Sequence, residues 1–293
     1  KINVKASVGR GFKTPDFRQL YLNFTNTAAG GYSVFGAIEA QKIITALRLM
    51  GQIASIESDY YNLAALQPEF STGYHASFDY HMPNKASVTV GLFYNSINNL
   101  IDSRLVAYKL GGAQIFSYLN VKSAFTKGLE FNADYKIAKS YSVSGGYQFL
   151  LSGDQSEIDK IAQGKVYTRD ASGYSKLLKT LDYVGLPNRS KHQVNIKLQY
   201  QHDRVFATLR ALYKSKWFVT DTDGNGIFNT NDAHANGFVQ LNATIGLPIS
   251  KNLSVQLGCN NLLNYSDPVN MPNFMGRSGF INFNYTRKQS IEK

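Results

Sequence analysis

The residues best suited to chemistry form one short run of acidic and amide side chains. In the stretch DTDGNGIFNTND, oxygen donors fall at positions 1, 3, 5, 9 and 12, a glycine falls at position 6, and position 7 offers a backbone carbonyl. EF-hand loops bind calcium with this spacing, because one tight turn then supplies most of the roughly six to eight oxygen ligands that the ion needs. We therefore expect a calcium site formed by Asp221, Asp223, Asn225, Ile227, Asn229 and Asp232.

This run differs from an EF hand in two respects. Its twelfth residue is Asp232 rather than a bidentate glutamate, and the sequence predicts no helices on either side of it. Both differences lower the expected affinity. The alternative is a surface turn rich in Asp, Asn and Gly that binds no metal. We favour calcium, because the connection containing this run is expected to face the outside of the cell, where calcium is plentiful.

The sequence offers no arrangement of residues for covalent catalysis. The five histidines are scattered, and neither a Gly-x-Ser-x-Gly element nor a phosphate-binding loop is present. His75 and His81, with Asp79 between them, could bind a metal or a proton, but we interpret them as polar lining. The single cysteine, Cys259, excludes a disulfide framework and a cysteine-based zinc cluster. We predict that the protein is not an enzyme.

The elements that position these residues are indicated by an alternation of apolar and polar side chains, which recurs ten times. The polar positions are rich in Ser, Thr, Asn, Gln and Gly, whereas the apolar positions end in Tyr or Phe on most strands. This pattern is typical of a transmembrane β-barrel with a polar lumen, although a soluble all-β fold stays open. The predicted strands cover residues 2–8, 70–82, 86–95, 129–136, 141–149, 194–200, 205–213, 239–247, 253–259 and 281–285.

Short and long connections alternate strictly between these strands. The short ones are 83–85, 137–140, 201–204 and 248–252, and the long ones are 13–68, 97–116, 153–190, 216–237 and 263–275. Outer-membrane barrels have short turns on the periplasmic side and long loops on the cell surface. We therefore expect Lys1 on the periplasmic side and the long loops outside.

One helix is predicted inside the first long loop, from Phe35 to Met50, where good helix formers follow one another. Its apolar residues are Ile43, Leu47 and Met50, followed by Ala54. One interpretation is that this helix packs over the barrel mouth or against neighbouring loops. The other is that it contacts a ligand or a partner protein.

The net charge of +11 would suit an anionic partner, but its distribution argues against nucleic acid. The basic residues are scattered, and no zinc-finger, RRM or helix-turn-helix pattern is present. We expect a basic barrel interior, which would favour anionic cargo or balance an acidic plug. The cations expected to face the lumen are Lys5, Arg10, Arg210, Lys214 and Arg277.

Six stretches resemble, in the same order, motifs of TonB-dependent outer-membrane receptors. They are 9–21 (GRGFKTPDFRQLY), 62–69 (NLAALQPE), 118–130 (YLN to GLE), 186–189 (LPNR), 260–265 (NNLLNY) and 276–285 (GRSGFINFNY). The resemblance implies an all-β, antiparallel transmembrane β-barrel, in which these ten strands form the C-terminal part of a 22-stranded barrel with long extracellular loops. Residues 1–286 would be that barrel portion and 287–293 a short tail, with the plug domain and the N-terminal strands absent. Family chains commonly stop at an aromatic residue, whereas here Tyr285 is followed by eight more residues.

The resemblance also implies a function, which is TonB-dependent import of a scarce nutrient across the Gram-negative outer membrane. The cargo would be a siderophore, cobalamin, heme or an oligosaccharide. Heme ranks last, because heme receptors often carry a histidine between the first two motifs and none occurs between Pro15 and Asn62. We expect the surface loops to contact the ligand through Tyr32, Phe35, Tyr108, Phe116, Tyr118 and Arg277.

The expected partners follow from the same resemblance. They are the N-terminal barrel half, the plug domain, the TonB complex through an absent TonB box, and membrane lipid with lipopolysaccharide. A surface lipoprotein could dock as a lid near residues 37–55.

Two other functions stay open, namely a self-contained ten-stranded barrel enzyme of the omptin type and a surface adhesin. Strand pairing discriminates the first of these, because only a closed ten-stranded barrel would pair segment 2–12 with segment 279–285.

Overall fold

A computed structural model describes residues 1–26, 31–170 and 172–286, so the predicted tail 287–293 lies outside the described residues. The described residues form mainly strands, together with three short helices. In chain order the strands are β1 (Ile2–Lys13), β2 (Asn23–Asn26), β3 (Tyr32–Phe35), β4 (Ile53–Ile56), β5 (Glu69–Met82), β6 (Ala86–Lys109), β7 (Gln114–Ala138), β8 (Tyr141–Asp154), β9 (Tyr167–Arg169), β10 (Ser175–Leu177), β11 (His192–His202), β12 (Val205–Lys214), β13 (Trp217–Thr220), β14 (Ala233–Ala235), β15 (Phe238–Pro248), β16 (Leu253–Asn260) and β17 (Ser278–Tyr285). The helices are α1 (Phe17–Tyr21), α2 (Ala37–Leu49) and α3 (Gln155–Ala162), with 3₁₀ turns at Ser58–Asn62 and Thr180–Asp182. Within the described ranges, no helix combines the length and the apolar character needed to cross a bilayer.

One antiparallel sheet forms the body of the molecule. Its main path is β1-β5-β6-β7-β8-β11-β12-β15-β16-β17, so ten long strands follow one another in chain order. Each of them overlaps a strand that the alternation predicts. Three shorter strands, β2, β3 and β4, extend the sheet beside β6 and β7, and two small hairpins, β9–β10 and β13–β14, lie apart from it. These seven short strands are not predicted from the alternation, because none is long enough to display it.

The register separates the residues of the ten strands into two faces. Directly paired residues lie on the same face, so one row of pairs samples that face across the sheet. The row Val4, Phe78, Val90, Phe131, Tyr147, Val194, Tyr213 and Val239 crosses eight strands and is entirely apolar. The neighbouring row is Lys5, Ser77, Gly91, Glu130, Gln148, Gln193, Lys214 and Phe238. We call the first side the apolar face and the second the polar face.

The sheet is open rather than closed on itself. Among the described residues, β1 pairs with β5 alone and β17 pairs with β16 alone, so each outer strand has one unpaired edge. A closed ten-stranded barrel would require these two edges to pair, and they do not. The arrangement is the one expected for a part of a larger barrel.

The two ends of the sheet differ as the connections predict. At one end, which we call the short-turn end, tight links join β5 to β6, β7 to β8, β11 to β12 and β15 to β16. At the other, the long-loop end, the remaining connections contain all three helices. One predicted long loop is wrong, however. Residues 97–116 do not form an open loop, because β6 and β7 continue through them and leave only residues 110–113 as the link.

Burial under a helix stabilises the extension of β6 and β7. Its residues therefore do not alternate between apolar and polar, and the alternation pattern does not predict it. Helix α2 covers one side of this extension and buries Ile44 against Val106 and Ile115, all fully inaccessible to solvent. Strands β3 and β4 pair along its edges. We call α2, β3, β4 and residues 100–119 the loop module, and it is a small hydrophobic core beyond the end of the main sheet.

The predicted helix is therefore confirmed in position, while its buried side differs in detail. Ile43 and Leu47 pack at the edge of the loop module, as expected, but Ala40 and Ile44 form the buried centre of the helix. Met50 is exposed, and Ala54 belongs to β4 rather than to the helix.

Candidate functional site

Three carboxylates meet in the connection between β13 and β14. The ligating oxygens of Asp221, Asp223 and Asp232 all lie within 4.8 Å of one another. Oxygens bound to one calcium ion at about 2.4 Å lie no more than about 4.8 Å apart, so this spacing suits a shared cation. Within the described part of the chain, no other group of three or more acidic, histidine or cysteine side chains meets the same distance criterion, so His75, Asp79 and His81 do not form a metal cluster.

The local backbone holds these carboxylates in place. The N–H groups of Gly224 and Gly226 donate to the two carboxylate oxygens of Asp221, at 2.9 and 2.6 Å. Both glycines have positive φ values, 71° and 80°, which side chains with a Cβ rarely adopt. The carboxylate of Asp232 accepts from the N–H groups of Thr222 and Asn229 at 2.9 and 2.8 Å. The glycine and Asx spacing in the sequence therefore produces the turn that gathers the acids.

The other three predicted calcium ligands lie in the same loop, but their oxygens already accept hydrogen bonds from other groups. The side-chain oxygen of Asn225 accepts from the N–H of Ile227 at 2.8 Å, and the Ile227 carbonyl accepts from the Asn229 amide at 3.2 Å. Asn229 is fully buried, and its side-chain oxygen accepts from Thr168 and Asn231. These oxygens would have to exchange partners, or share them, to bind a cation.

A second loop, which no local sequence pattern predicts, supports the acidic turn. The N–H of Arg169 donates to Asp223 at 3.0 Å, and the Asn225 amide donates to the Tyr167 carbonyl at 2.9 Å. Ile227 is buried with Ile161, Val166 and Leu178. Because these partners lie more than 50 residues away in sequence, no local signal reveals them.

Burial and repulsion between the carboxylates disfavour the charged form of two of the three acids. Burial raises the pKa of Asp221 and of Asp232, and a neighbouring aspartate raises each of them further. Burial acts in the same direction on Asp223, but hydrogen bonds from Thr168, Arg169 and Asn225 outweigh it and lower the pKa of that group. A bound cation would remove this penalty by neutralising the charges that burial disfavours.

The five aromatic residues predicted to contact ligand separate into three groups. Phe35 is 7% exposed and belongs to the hydrophobic core of the loop module, so we assign it to packing. Tyr32 packs edge-on against Phe116 with ring centroids 6.4 Å apart, and both rings keep part of their surface exposed. Tyr108 and Tyr118 lie on the same β6–β7 extension and are partly exposed.

Arg277 lies apart from these aromatic residues. It directly precedes β17 and is exposed, with its N–H donating to Asn264 at 2.9 Å. The structure therefore brings Tyr32 and Phe116 together and leaves Arg277 elsewhere on the long-loop end.

A cavity of about 600 Å³ lies on the polar face, next to the long-loop end. Its cationic side is formed by Arg189 and Lys214, and the ammonium group of Lys214 lies 4.0 Å from the centre of the Trp217 ring. His75 and Glu130 line the other side. The strand pattern predicts that Lys214 faces the interior, but it does not predict Arg189, which lies outside the alternating strands.

The basic residues expected in the lumen are placed as predicted in three cases. Lys5, Arg210 and Lys214 lie on the polar face, where Lys5 forms an ion pair with Asp79 at 2.6 Å. Arg10 is a correction. It pairs with Thr72 on the apolar face, because it keeps the parity of the apolar residues of β1.

A buried polar network links the loops at the long-loop end. Arg104 lies 3.4 Å from Glu157 and 3.6 Å from Asp154, which connects the β6 extension to α3. The Tyr183 hydroxyl donates to Glu157 at 3.0 Å and accepts from the N–H of Asp154 at 2.8 Å. Burial raises the pKa of Glu157 and of Tyr183. Residues 182–184 also contact residues 228–230 of the acidic loop, so the loops form one connected assembly.

Comparison with solved structures finds receptors of the same architecture. The siderophore receptor PirA of Pseudomonas aeruginosa aligns with a TM-score of 0.59 and 16% identity, over 97% of this chain and 39% of that one. A variant of the ferric enterobactin receptor PfeA of the same species gives 0.58 and 17%, over 90% and 33%. The copper transporter OprC gives 0.58 and 12%, over 97% and 37%.

The chain therefore spans less than two fifths of the length of these structures. At such identities the likeness shows the fold alone. A comparison with curated proteins finds no match. The sequence profile described as "TonB dependent receptor-like, beta-barrel" matches residues 1–262. The chain belongs to the TonB-dependent receptors, the β-barrel proteins of the Gram-negative outer membrane.

Proposed function

We propose that this chain is the C-terminal part of a 22-stranded barrel that imports a scarce nutrient by TonB-dependent active transport. The open sheet carries this proposal, since its two unpaired edges, on β1 and β17, can be satisfied by the remaining strands of a barrel. In this assignment residues 1–286 form barrel wall and loops, and 287–293 form a tail. The N-terminal strands, the plug domain and the TonB box belong to the rest of the receptor.

The orientation follows from the faces of the sheet. The apolar face contacts lipid, the polar face lines the lumen, and the long-loop end faces the medium. β6 and β7 contain 24 and 25 residues, against the roughly 9–11 that cross a bilayer, so both project well beyond the membrane. The receptor performs no covalent step in this scheme; it binds cargo and admits it when the plug moves.

The cargo is a siderophore, cobalamin, heme or an oligosaccharide, and we favour an anionic one. The support is the cavity on the polar face, which Arg189 and Lys214 line; the buried Trp217 ring contacts the Lys214 ammonium but does not line the cavity. Two cations lining one cavity suit an anionic group, and the lining residues Phe93 and Leu150 suit an apolar part of the same molecule. A ferric siderophore that carries negative charge has this chemistry.

Uptake assays test the transport proposal. Cells expressing the full-length receptor should accumulate a labelled ferric siderophore, and accumulation should cease when TonB is deleted or the proton-motive force is collapsed.

Arg189→Gln combined with Lys214→Gln should reduce cargo affinity by about tenfold, equivalent to about 1.4 kcal/mol, whereas Lys136→Gln should leave it unchanged. Uptake that continues without TonB would contradict the proposal, and binding without any uptake would favour an adhesin.

We also propose that Asp221, Asp223 and Asp232 bind calcium, with Asn225, Asn229 and the carbonyl of Ile227 completing the site. The support is the spacing of the three carboxylates and the raised pKa of two of them. Calcium would then fix the acidic loop against residues 167–169.

Calcium titration of the full-length receptor tests this site. Asp221→Asn should weaken calcium binding by at least about tenfold, since a charged ligand is lost. Without calcium the same variant should resist proteolysis in this loop better than the wild type, because one buried charge is gone. Asp170→Asn, in the neighbouring loop, is the matched control. Equal calcium affinity in all three proteins would overturn the assignment.

The lid proposal concerns the exposed side of α2. Ile38, Leu49 and Met50 are exposed there, while the opposite side packs into the loop module. We propose that a surface lipoprotein docks on these residues. Replacing all three with Ser should abolish capture of that lipoprotein from outer-membrane extracts without affecting barrel assembly, and unchanged capture would contradict the idea.

A further inference from the structure

Four residues that line the cavity on the polar face form a single register row. Glu130, Gln148, Gln193 and Lys214 lie on the neighbouring strands β7, β8, β11 and β12, and each pairs directly with the next. An acid therefore lies at one end of the row, a base lies at the other, and two amide side chains lie between them. Three strand spacings separate Glu130 from Lys214, which is about 14 Å between their backbones.

The acidic end of the row keeps one carboxylate oxygen open. Oε1 of Glu130 accepts from the side-chain amide of Gln148 at 2.9 Å, and no hydrogen bond to Oε2 is found within the described residues. The ion pairs formed by that part of the chain do not include Glu130, which is partly buried. It is also the one acidic residue among the described residues that line the cavity. A carboxylate in this state suits a positively charged group of a ligand.

The basic end of the row carries two cations that lack an acidic partner. Lys214 and Arg189 both line the cavity, and they lie close enough for their charges to repel each other. Neither forms an ion pair with an acid in the described ranges of the chain. Two neighbouring cations without a counter-ion suit an anionic group such as a carboxylate.

The middle of the row offers groups that donate and accept hydrogen bonds. The Gln193 side chain is exposed and makes no hydrogen bond to another described residue. Gln148 donates to Glu130 through its amide nitrogen, which leaves its side-chain oxygen as an open acceptor. Since each side-chain amide can both donate and accept, the pair complements the N–H and C=O groups of a peptide bond.

An apolar row runs beside the polar one, on the side of the long-loop end. It consists of Phe93, Gly128 and Leu150, which pair across β6, β7 and β8. A Cβ at Gly128 would lie 2.8 Å from the Phe93 ring, so the absence of a side chain there lets the ring lie across the wall. Phe93 and Leu150 line the cavity and can contact the apolar parts of a ligand that follows the polar row.

Resting on the proposed function, we propose that the cargo is zwitterionic and peptide-like. Its ammonium group pairs with Glu130, and its carboxylate pairs with Arg189 and Lys214. Its amide groups bind Gln148 and Gln193, and we call these five residues the zwitterion site. An extended tripeptide spans at most about 10 Å, so it fits the row with an ion pair of about 2.8 Å at each end. A short peptide and a peptidic siderophore share this chemistry.

Binding of matched probes to the purified full-length receptor tests the zwitterion site. The main probe is the ferric complex of the linear tripeptide of N5-acetyl-N5-hydroxyornithine, whose hydroxamates hold the iron and whose two ends stay charged. In calorimetric titrations of the wild type, acetylation of its amino end should weaken binding by at least about tenfold, and amidation of its carboxyl end should do the same.

Tri-alanine distinguishes the two sources of this chemistry. If it binds as tightly as the ferric tripeptide, the cargo is a free peptide, whereas weaker binding indicates a peptidic siderophore. Either result supports the site, provided that acetylation weakens the binding of the same probe.

Variants assign each charge of the probe to its partner. Glu130→Gln should bind the free-amine probe at least about tenfold more weakly and the acetylated probe as tightly as the wild type does, because the acetylated end carries no charge. Arg189→Gln combined with Lys214→Gln should lose affinity for the carboxylate form and keep that for the amidated form. The matched control is Asp134→Asn, which changes an acid on the same strand and face and should leave all affinities unchanged.

Heat-modifiable electrophoretic mobility checks that each variant folds. If Glu130→Gln does not fold, Glu130→Asp replaces it and should retain the preference for the free-amine probe. Equal binding of the free-amine and acetylated probes to the wild type would overturn the zwitterion site. So would the absence of measurable binding, or an equal loss of affinity in Asp134→Asn.

The readouts separate this inference from the transport proposal. Charge-dependent binding that Glu130→Gln abolishes supports the zwitterion site even if no cell accumulates the probe. TonB-dependent uptake that does not distinguish the free-amine probe from the acetylated one would overturn the zwitterion site and leave the transport proposal standing.

Discussion

At the scale of single residues, the buried carboxylate of Glu157 shows how burial and charge compete. Burial raises its pKa above the ordinary 4.5, while Arg104 acts in the opposite direction without cancelling the effect. Folding therefore favours the protonated form. The destabilising contribution of Glu157 is absent below its ordinary pKa, develops as the pH rises through the folded pKa, and is complete above it.

Glu157→Gln should accordingly flatten the pH dependence of local stability around α3. In the wild type, hydrogen-exchange protection of α3, corrected for intrinsic rates, should fall as the pH rises above the ordinary carboxyl pKa of 4.5, because burial disfavours the charged form of Glu157 in the folded state. In the variant the protection should change little. Asp159→Asn, on the same helix, is the control and should keep the wild-type slope. A steep dependence that persists in Glu157→Gln would assign the effect to another group.

At the scale of elements, the loop module depends on how α2 packs on the β6–β7 extension. Ile44 is fully buried there, whereas Ile38 on the same helix is 48% exposed. Ile44→Ala leaves a cavity and should destabilise the module by about 2–5 kcal/mol, while Ile38→Ala should cost less than about 1 kcal/mol.

Limited proteolysis of the receptor in the outer membrane measures this difference. Cleavage within residues 37–56 should accelerate markedly in Ile44→Ala and stay close to the wild type in Ile38→Ala, with the barrel itself intact. If both variants were cleaved at the same rate, α2 would not depend on the core assigned to it.

At the scale of the whole molecule, the open sheet determines how the protein assembles. The described part of the chain presents two unpaired strand edges and a broad apolar face; unpaired edges are unstable in lipid, and an exposed apolar face is unstable in water. We expect residues 1–293 expressed alone not to form a heat-modifiable barrel. Co-expression with the upstream part of the receptor should restore the compact, fast-migrating form, and a compact barrel formed by residues 1–293 alone would contradict the open-sheet assignment.

The sequence determined the main sheet because alternation with a period of two is a local property of a strand. The ten long strands, the four tight turns and the helix at α2 all lie where the pattern predicts them. The sequence also predicts the acidic loop, since glycines and Asx residues at fixed spacing specify a tight turn that gathers Asp221, Asp223 and Asp232.

The tertiary structure decided what depends on residues distant in sequence. Residues 97–116, predicted as a loop, mostly form paired strands, because α2 buries one side of them. Phe35, predicted to contact ligand, lies in the hydrophobic core that this packing creates. The tertiary structure also placed Arg10 on the apolar face, since the parity of a charged residue within a strand becomes certain only when its register with the neighbouring strand is known. Local periodicity determines which elements form, and long-range burial and register determine what each side chain contacts.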